Sequence, residues 1–220
     1  MSSLLTQFVN LLGALLLMLT FAMISQRRVV SLIHLFTLQG ATLVLATALV
    51  GYVTGQPHLY LSAGMTLLLK VFLIPWLLHR VVNRLNIKWD VETLINIPTT
   101  MLIGIGVVIF AFNLALPIAS FSSALASGTL GIALACVLLS FLMMITRAKA
   151  VPQVIGFLAM ENGLFFAATA ATYGMPMVVE LGIALDVLIG ALILGVFMFQ
   201  IREQFDSLDI SHLEQLKEDQ

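Results

Sequence analysis

Residues 151–173 read VPQVIGFLAMENGLFFAATAATY, an apolar stretch with one charged side chain, Glu161, near its middle. A helix needs about 20 predominantly apolar residues to cross the hydrocarbon core of a bilayer, and this stretch is long enough. The chain contains six more stretches of this kind, at 4–25, 30–54, 59–80, 97–116, 128–146 and 177–201. The composition agrees, because 60% of the 220 residues are apolar and only 10% are charged. The sequence therefore predicts an all-α integral membrane protein, a bundle of about seven transmembrane helices.

The basic residues predict the orientation of this bundle. Nine of the ten Lys and Arg side chains follow the first, third, fifth or seventh stretch: Arg27, Arg28, Arg80, Arg84, Lys88, Arg147, Lys149, Arg202 and Lys217. Basic residues close to span ends stay in the cytoplasm, so we expect the N-terminus outside and the C-terminus cytoplasmic. No basic region precedes the first stretch, so we expect a retained span rather than a cleaved signal peptide. The predicted location is the cell inner (cytoplasmic) membrane, crossed several times.

Three of the predicted spans carry a charged side chain near mid-depth: Lys70, Glu161 and Asp186. A charge at the bilayer centre costs about 2.5–3.5 kcal/mol on insertion scales, so each one needs pairing, neutralisation or water. At about 1.5 Å of rise per residue, Glu161 and Asp186 reach similar depths in an antiparallel hairpin, and Lys70 is also at midplane height. Ionisable groups in such places are typical of sites that exchange protons, so the three residues are candidates for a proton relay.

Structural roles for the same residues stay open at this point. Glu161 and Asp186 are alternatively interhelical hydrogen-bonding partners that hold a bundle together. Lys70 alternatively forms a salt bridge with a carboxylate on another helix. Pro75, five residues after Lys70, frees the carbonyl of Val71 and favours a kink beside the lysine.

Two further residues are candidates for secondary positions in a relay. Glu180 lies near the predicted outer end of the seventh span, and His34 lies near the inner end of the second. Glu180 alternatively complements the positive end of its helix, and a lone histidine within a helix is alternatively a packing residue. The single cysteine, Cys136, excludes an intrachain disulfide and a Cys-based metal site. The sequence contains no Cys/His cluster and no phosphate-binding glycine loop, so we expect no catalytic residue, metal or cofactor in this chain.

Three short segments carry a resemblance to a known family: MENG at 160–163, ELGIALD at 180–186 and KVFLIP at 70–75. Together, and in their order along the chain with KVFLIP first, they resemble hydrogenase-4 component E, a family of membrane subunits of group 4 nickel–iron hydrogenases such as formate hydrogenlyase. The final three spans are also similar to the small K subunit of respiratory complex I and to the C subunit of multisubunit sodium/proton antiporters. The proton-transferring glutamates of that K subunit fall by position on Glu161 and Asp186, the second being one methylene shorter.

The resemblance implies three regions, a four-helix membrane region at 1–116, a K-subunit-like region at 117–201 and an acidic cytoplasmic tail at 202–220. It implies a membrane-arm subunit of a complex I-like hydrogenase, an oxidoreductase complex in which this chain couples proton transfer and does not itself catalyse. The implied partners are antiporter-like and complex I-like membrane subunits and a peripheral arm with nickel–iron and iron–sulfur centres, with no nucleic acid. Two alternatives stay open, a free-standing cation/proton transporter and a passive assembly subunit.

Overall fold

The computed structural model describes residues 2–84, 93–119 and 124–172, together with Gly190. These residues form α1 (Ser2–Ile24), α2 (Val29–Thr54), α3 (Pro57–Thr66), a π-helical segment (Leu67–Leu73), α4 (Ile74–Arg84), α5 (Ile97–Ala119), α6 (Ala124–Thr146) and α7 (Ala150–Thr172). The chain divides into two compact units, Met1–Ala184 and Leu185–Gln220, and every feature described below lies in the first.

Six of the predicted spans are confirmed as helices long and apolar enough to cross a membrane. Their ends differ from the predicted ones by a few residues, the third span running over 57–84 instead of 59–80. Within the described part of the chain there is no strand, only an isolated backbone bridge between Thr93 and Arg147. The predicted seventh span at 177–201 and the tail at 202–220 lie outside the described residues.

A tight turn joins the second and third spans. Gly55 adopts a left-handed conformation with φ 67°, and its N–H bonds to the carbonyl of Gly51. Only glycine takes this conformation without a steric penalty, which makes it the usual residue after a helix C-terminus. Pro57 then begins α3, where its missing N–H costs nothing because the first turn has no intrahelical acceptor to bond. The turn is therefore specified by Gly55 and Pro57.

The third span changes its winding in the middle. Residues 67–73 form a π-helix, and the N–H of Ile74 bonds to the carbonyl of Leu69, five residues earlier. Pro75 follows directly and has no N–H to donate, so the regular ladder of hydrogen bonds is interrupted beside it. Single π turns inside α-helices are frequent at functional sites. Lys70 lies in this segment, where the sequence predicts a proline kink.

The described helices pack into one core. The most extensive contact is between α6 and α7, followed by α5 on α6, α1 on α2 and α1 on α6, while α2 also packs on α7 and on the π segment. At Gly163 an added Cβ would lie 3.1 Å from Cys136 Cβ and 3.2 Å from Val137 Cγ2, so this glycine permits the close approach of α6 and α7. The first described helix, α1, and the last, α7, therefore both contribute to the same core.

The exterior of the bundle is apolar. Large hydrophobic side chains are exposed on every described helix, among them Leu11, Leu45, Leu61, Leu102 and Leu164. In a water-soluble domain, apolar area of this extent would be exceptional. The buried polar side chains are mainly threonines and serines, and the larger ones include Gln39, Lys70, Glu161 and Asn162.

Candidate functional site

A buried ion pair joins the third span to α7. Lys70 Nζ lies 2.9 Å from Glu161 Oε1, and the side chains are 1% and 5% exposed. Removing two charges from water is costly, and the cost is offset only when the geometry is good and further hydrogen bonds are made. The structure thus brings together two of the three predicted relay residues.

The Lys70 ammonium has two further neighbours on α7. Nζ donates a second hydrogen bond to Asn162 Oδ1 at 2.9 Å. It also lies 5.7 Å from the ring centroid of Phe165, one helical turn after Glu161, within range of a cation–π attraction. The positive charge is therefore surrounded by a carboxylate, an amide oxygen and an aromatic ring, all supplied by one helix.

A chain of hydrogen bonds continues from Asn162 across the bundle. Asn162 Nδ2 donates to Gln39 Oε1 on α2 at 3.0 Å, and Gln39 Nε2 donates to Thr20 Oγ1 on α1 at 2.8 Å. The Thr20 hydroxyl in turn donates to the carbonyl of Leu16 at 2.8 Å. Asn162, Gln39 and Thr20 are all buried. We call these three side chains the amide arm, and it links the ion pair to two more helices.

The arm ends beside Cys136, the single cysteine of the chain. Its thiol lies on α6 beside the Thr20 side chain. The cysteine is fully buried. Buried polar side chains from α1, α2, α7 and the π segment therefore form one hydrogen-bonded network, and Cys136 of α6 lies beside its end.

Gly40 permits α2 to approach the π segment closely at Lys70. A Cβ at this position would lie 3.3 Å from Lys70 Cβ and 3.5 Å from the Lys70 carbonyl oxygen. Gly40 directly follows Gln39, so one short piece of α2 supplies both the close approach and the middle of the amide arm. The local sequence therefore positions Lys70 through backbone contact as well as hydrogen bonds.

Only two groups of this network exchange protons readily. A lysine and a carboxylic acid each bind and release a proton, and a proton can move along the hydrogen bond between Nζ and Oε1. The side chains of Asn162 and Gln39 are neutral amides, which donate and accept hydrogen bonds without taking up a proton in the physiological range. The arrangement is suited to Lys70 and Glu161 sharing a proton, with the hydrogen bonds of the amide arm stabilising the pair on one side.

The other predicted relay residues stand apart from this network or outside the description. Asp186 and Glu180 lie outside the described residues. His34 is exposed on α2, and its ring faces that of His79 on α4, with ring centroids 5.6 Å apart and planes inclined by 45°. Among the described contacts, none joins either histidine to Lys70. The structure therefore places His34 in a histidine pair.

The amide arm was not predicted, although its residues carry a visible signal. Gln39 and Asn162 are carboxamides in the middle of otherwise apolar spans, and such groups need hydrogen-bonding partners when they are buried. Neither can carry a charge, so neither belongs to the set of ionisable side chains from which the relay was predicted. Thr20 has no signal of its own, since threonines are common in apolar helices and usually bond within their own helix.

Arg147 is one of the basic residues from which the orientation is predicted, and its side chain also contacts the end of α1. Its Nη2 donates to the carbonyl oxygens of Ile24 at 2.6 Å and Met23 at 3.3 Å, at the C-terminus of α1. They belong to the last turn of α1, where carbonyls lack intrahelical donors, although the Met23 carbonyl also accepts from the Gln26 N–H at 3.2 Å. A cation there also complements the helix dipole. Arg147 is 1% exposed, and burial lowers the pKa of its guanidinium. The arginine thus caps α1 from the end of α6.

No convergent metal-ligand set is present in the part of the chain that the structure describes, where no three His, Cys, Asp or Glu side chains come together. In comparisons with known proteins, no family model and no solved structure matches the chain. The chain is similar to the uncharacterized protein Rv0085 of Mycobacterium tuberculosis, with 30% identity over 190 residues that cover 86% of each chain.

Proposed function

The chain belongs to the same family as the Mycobacterium tuberculosis protein Rv0085, and we propose that it is a membrane-arm subunit of a complex I-like hydrogenase in which Lys70 and Glu161 belong to a proton-transfer pathway. The observation that carries the proposal is the buried ion pair, with Nζ and Oε1 2.9 Å apart. Ionisable residues deep within apolar helices are a functional-site hypothesis by default, because they are expensive to retain there.

The proposed setting is a bilayer, with the chain crossing the cell inner membrane several times. Six helices long and apolar enough to span it, and an exterior rich in exposed Leu, Ile and Phe, support this placement. The basic residues at alternate span ends support an outside N-terminus and a cytoplasmic C-terminus. The nickel–iron and iron–sulfur centres belong, in this proposal, to partner subunits of a peripheral arm.

Within the pair, the proton is proposed to occupy either Lys70 or Glu161. When Nζ carries it, the two groups form an ion pair; when Oε1 carries it, both are neutral, so the net charge is zero in either state. An outside charge that approaches the pair can therefore move the proton between Nζ and Oε1, and the net charge of the pair itself does not change. Asp186 is the proposed next group along the path, by its position in the seventh predicted span.

The variant Glu161→Gln tests this role. Gln keeps the shape and an oxygen that can accept from Lys70 Nζ, but it cannot take the proton. We expect the assembled complex, recovered through a tag on this chain, to lose proton translocation coupled to hydrogen evolution in membrane vesicles. The matched control is Glu203→Gln, the same chemical change in the acidic tail outside the predicted spans, which we expect to leave translocation unchanged. Unchanged translocation in assembled Glu161→Gln complex would refute the proposal.

A passive assembly role is the second candidate, because the polar network connects several helices and is itself a packing device. It predicts that Glu161→Gln chain fails to co-purify with its partners, while any complex that does form translocates protons normally. A free-standing cation/proton transporter predicts that the purified chain alone moves protons in proteoliposomes and that no hydrogenase subunits accompany it. Mass spectrometry of the gently extracted, tagged chain separates these outcomes.

A further inference from the structure

The direction of every hydrogen bond in the amide arm follows from the charge on Lys70. An ammonium group has three donors and no acceptor, so Asn162 must turn its oxygen toward Nζ. Its NH2 group then faces Gln39, which must present its own oxygen. The Gln39 NH2 group faces Thr20, and the hydroxyl proton of Thr20 is left for the Leu16 carbonyl. All of the arm's donors therefore point away from the lysine.

This order gives the arm a definite polarity. The amide oxygen of Asn162 is at the charged end. All hydrogen bonds of the arm point in the same direction, so each bond polarises its neighbour and the chain of bonds is strengthened as a whole. Reversing Asn162 would bring two donors together at Lys70 and two acceptors together at Gln39, and reversing Gln39 would bring two donors together at Asn162. The arm can therefore reorganise only as a unit.

We infer that Asn162, Gln39 and Thr20 form a positioning arm that keeps the Lys70 ammonium on Glu161 and closes this side of the pair to proton movement. The positioning part stands on the hydrogen bonds alone. The closing part rests on the proposed role of the pair in proton transfer. A proton could pass along the arm only through an amide, and neither amide takes up a proton in the physiological range. Protons must then enter and leave the pair by another route.

Thr20 is the residue that makes the arm testable, because Gln39 and Asn162 stand between it and Lys70 in the chain of hydrogen bonds. Its hydroxyl accepts from Gln39 and donates to Leu16, and valine has the same shape without either capacity. Thr47 on α2 offers a matched control. It is equally buried and donates to the carbonyl of Leu43 at 2.9 Å, four residues earlier, and none of the described hydrogen bonds joins it to the arm. If Thr20→Val changes the Lys70 ammonium more than Thr47→Val does, the difference is caused by the loss of the arm's hydrogen bonds.

The experiment is ¹⁵N NMR of the full chain labelled at lysine side chains and held in detergent micelles. The chain has four lysines, and the signal that disappears in Lys70→Arg identifies Lys70. We expect this signal to shift in Thr20→Val, to return in Thr20→Ser and to stay in place in Thr47→Val. An unmoved signal in Thr20→Val, or an equal shift in Thr47→Val, would overturn the positioning arm.

A second variant tests whether the arm closes one side of the pair. Gln39→Glu puts a carboxyl group, which can carry a proton, where the amide stands. We expect faster exchange of the Lys70 ammonium protons with water, seen as broadening or loss of their signal, and no such change in Gln39→Leu. Equal exchange in both variants would overturn the closing role. Since these readouts need no partner subunits, they succeed or fail independently of proton translocation in Glu161→Gln complex.

Discussion

Removing the two charges of the ion pair, first singly and then together, is the sharpest test of the energetics of this site. The variants are Lys70→Met, Glu161→Gln and the double variant that carries both changes. Each single change leaves a buried polar or charged partner without its counterpart. Losing one member of a buried ion pair typically lowers the free energy of unfolding by about 3–5 kcal/mol, because the remaining charge is uncompensated.

The magnitude for the double variant follows from what is left behind. With both charges gone, the loss of hydrogen bonds remains, chiefly the one that Asn162 Oδ1 accepts from Lys70, worth about 1–3 kcal/mol. If the two single effects were independent, the double variant would lose about 6–10 kcal/mol, a large share of a typical domain's stability. We therefore expect a coupling free energy of at least about 3 kcal/mol, with the double variant as stable as either single variant or more so.

The chain contains its own probe for this measurement. Cys136 is the single cysteine, is fully buried and contacts Thr20 at the end of the amide arm. A thiol-reactive dye therefore reports opening of this core during unfolding in detergent, without an engineered label. Additive effects in the double variant would refute the reasoning, since they would mean that the two charges do not neutralise each other in the folded chain.

Two more predictions concern packing and capping. Gly40→Ala is expected to lower the free energy of unfolding by about 1–3 kcal/mol, because the new Cβ would lie 3.3 Å from Lys70 Cβ. The control is Gly64→Ala, where an added Cβ has nothing within 4 Å. This variant is expected to stabilise the chain by up to about 1 kcal/mol through helix propensity. Equal losses of stability in both variants would contradict the close approach at Gly40. Arg147→Gln should cost about 2 kcal/mol, because the carbonyls at the end of α1 lose a charged donor. Burial lowers the pKa of Arg147, but a guanidinium stays protonated throughout the physiological range. The loss of stability in Arg147→Gln should therefore be the same between about pH 5 and pH 9. Thermal unfolding of both proteins across that range measures any dependence of this loss on pH.

The bundle was predictable from sequence, since apolar stretches of bilayer length leave few alternatives to helices. Six spans lie where the stretches at 4–25 through 151–173 place them, within a few residues. The contact between Lys70 and Glu161 was not predictable in the same way. Sequence gives depth along each helix, but not which helices are neighbours or which face each one turns inward. It therefore predicted similar depths for the two charges and left their pairing as one of two alternatives.

The π segment was missed for a related reason. Pro75 signals an irregularity in the hydrogen-bond ladder, but a proline is compatible with a kink, a bulge or a simple bend. What decides between them is the neighbouring backbone, here the approach of Gly40 to Lys70. The amide arm likewise depends on side chains from three helices meeting, and no single stretch of sequence contains that information.

The winding of the third span has a consequence for its length. Thr66, Lys70, Ile74, Leu78 and Val82 are all buried, so one inward row recurs at every fourth residue. In an uninterrupted α-helix such a row would rotate by about 40° at each step and turn away from its neighbour. The π segment, wound with more than four residues per turn, rotates the row back and keeps it on one side. Deleting a single residue between 67 and 73 would rotate the whole C-terminal half of the span around its axis, so the number of residues in this span, and not only their polarity, is under constraint.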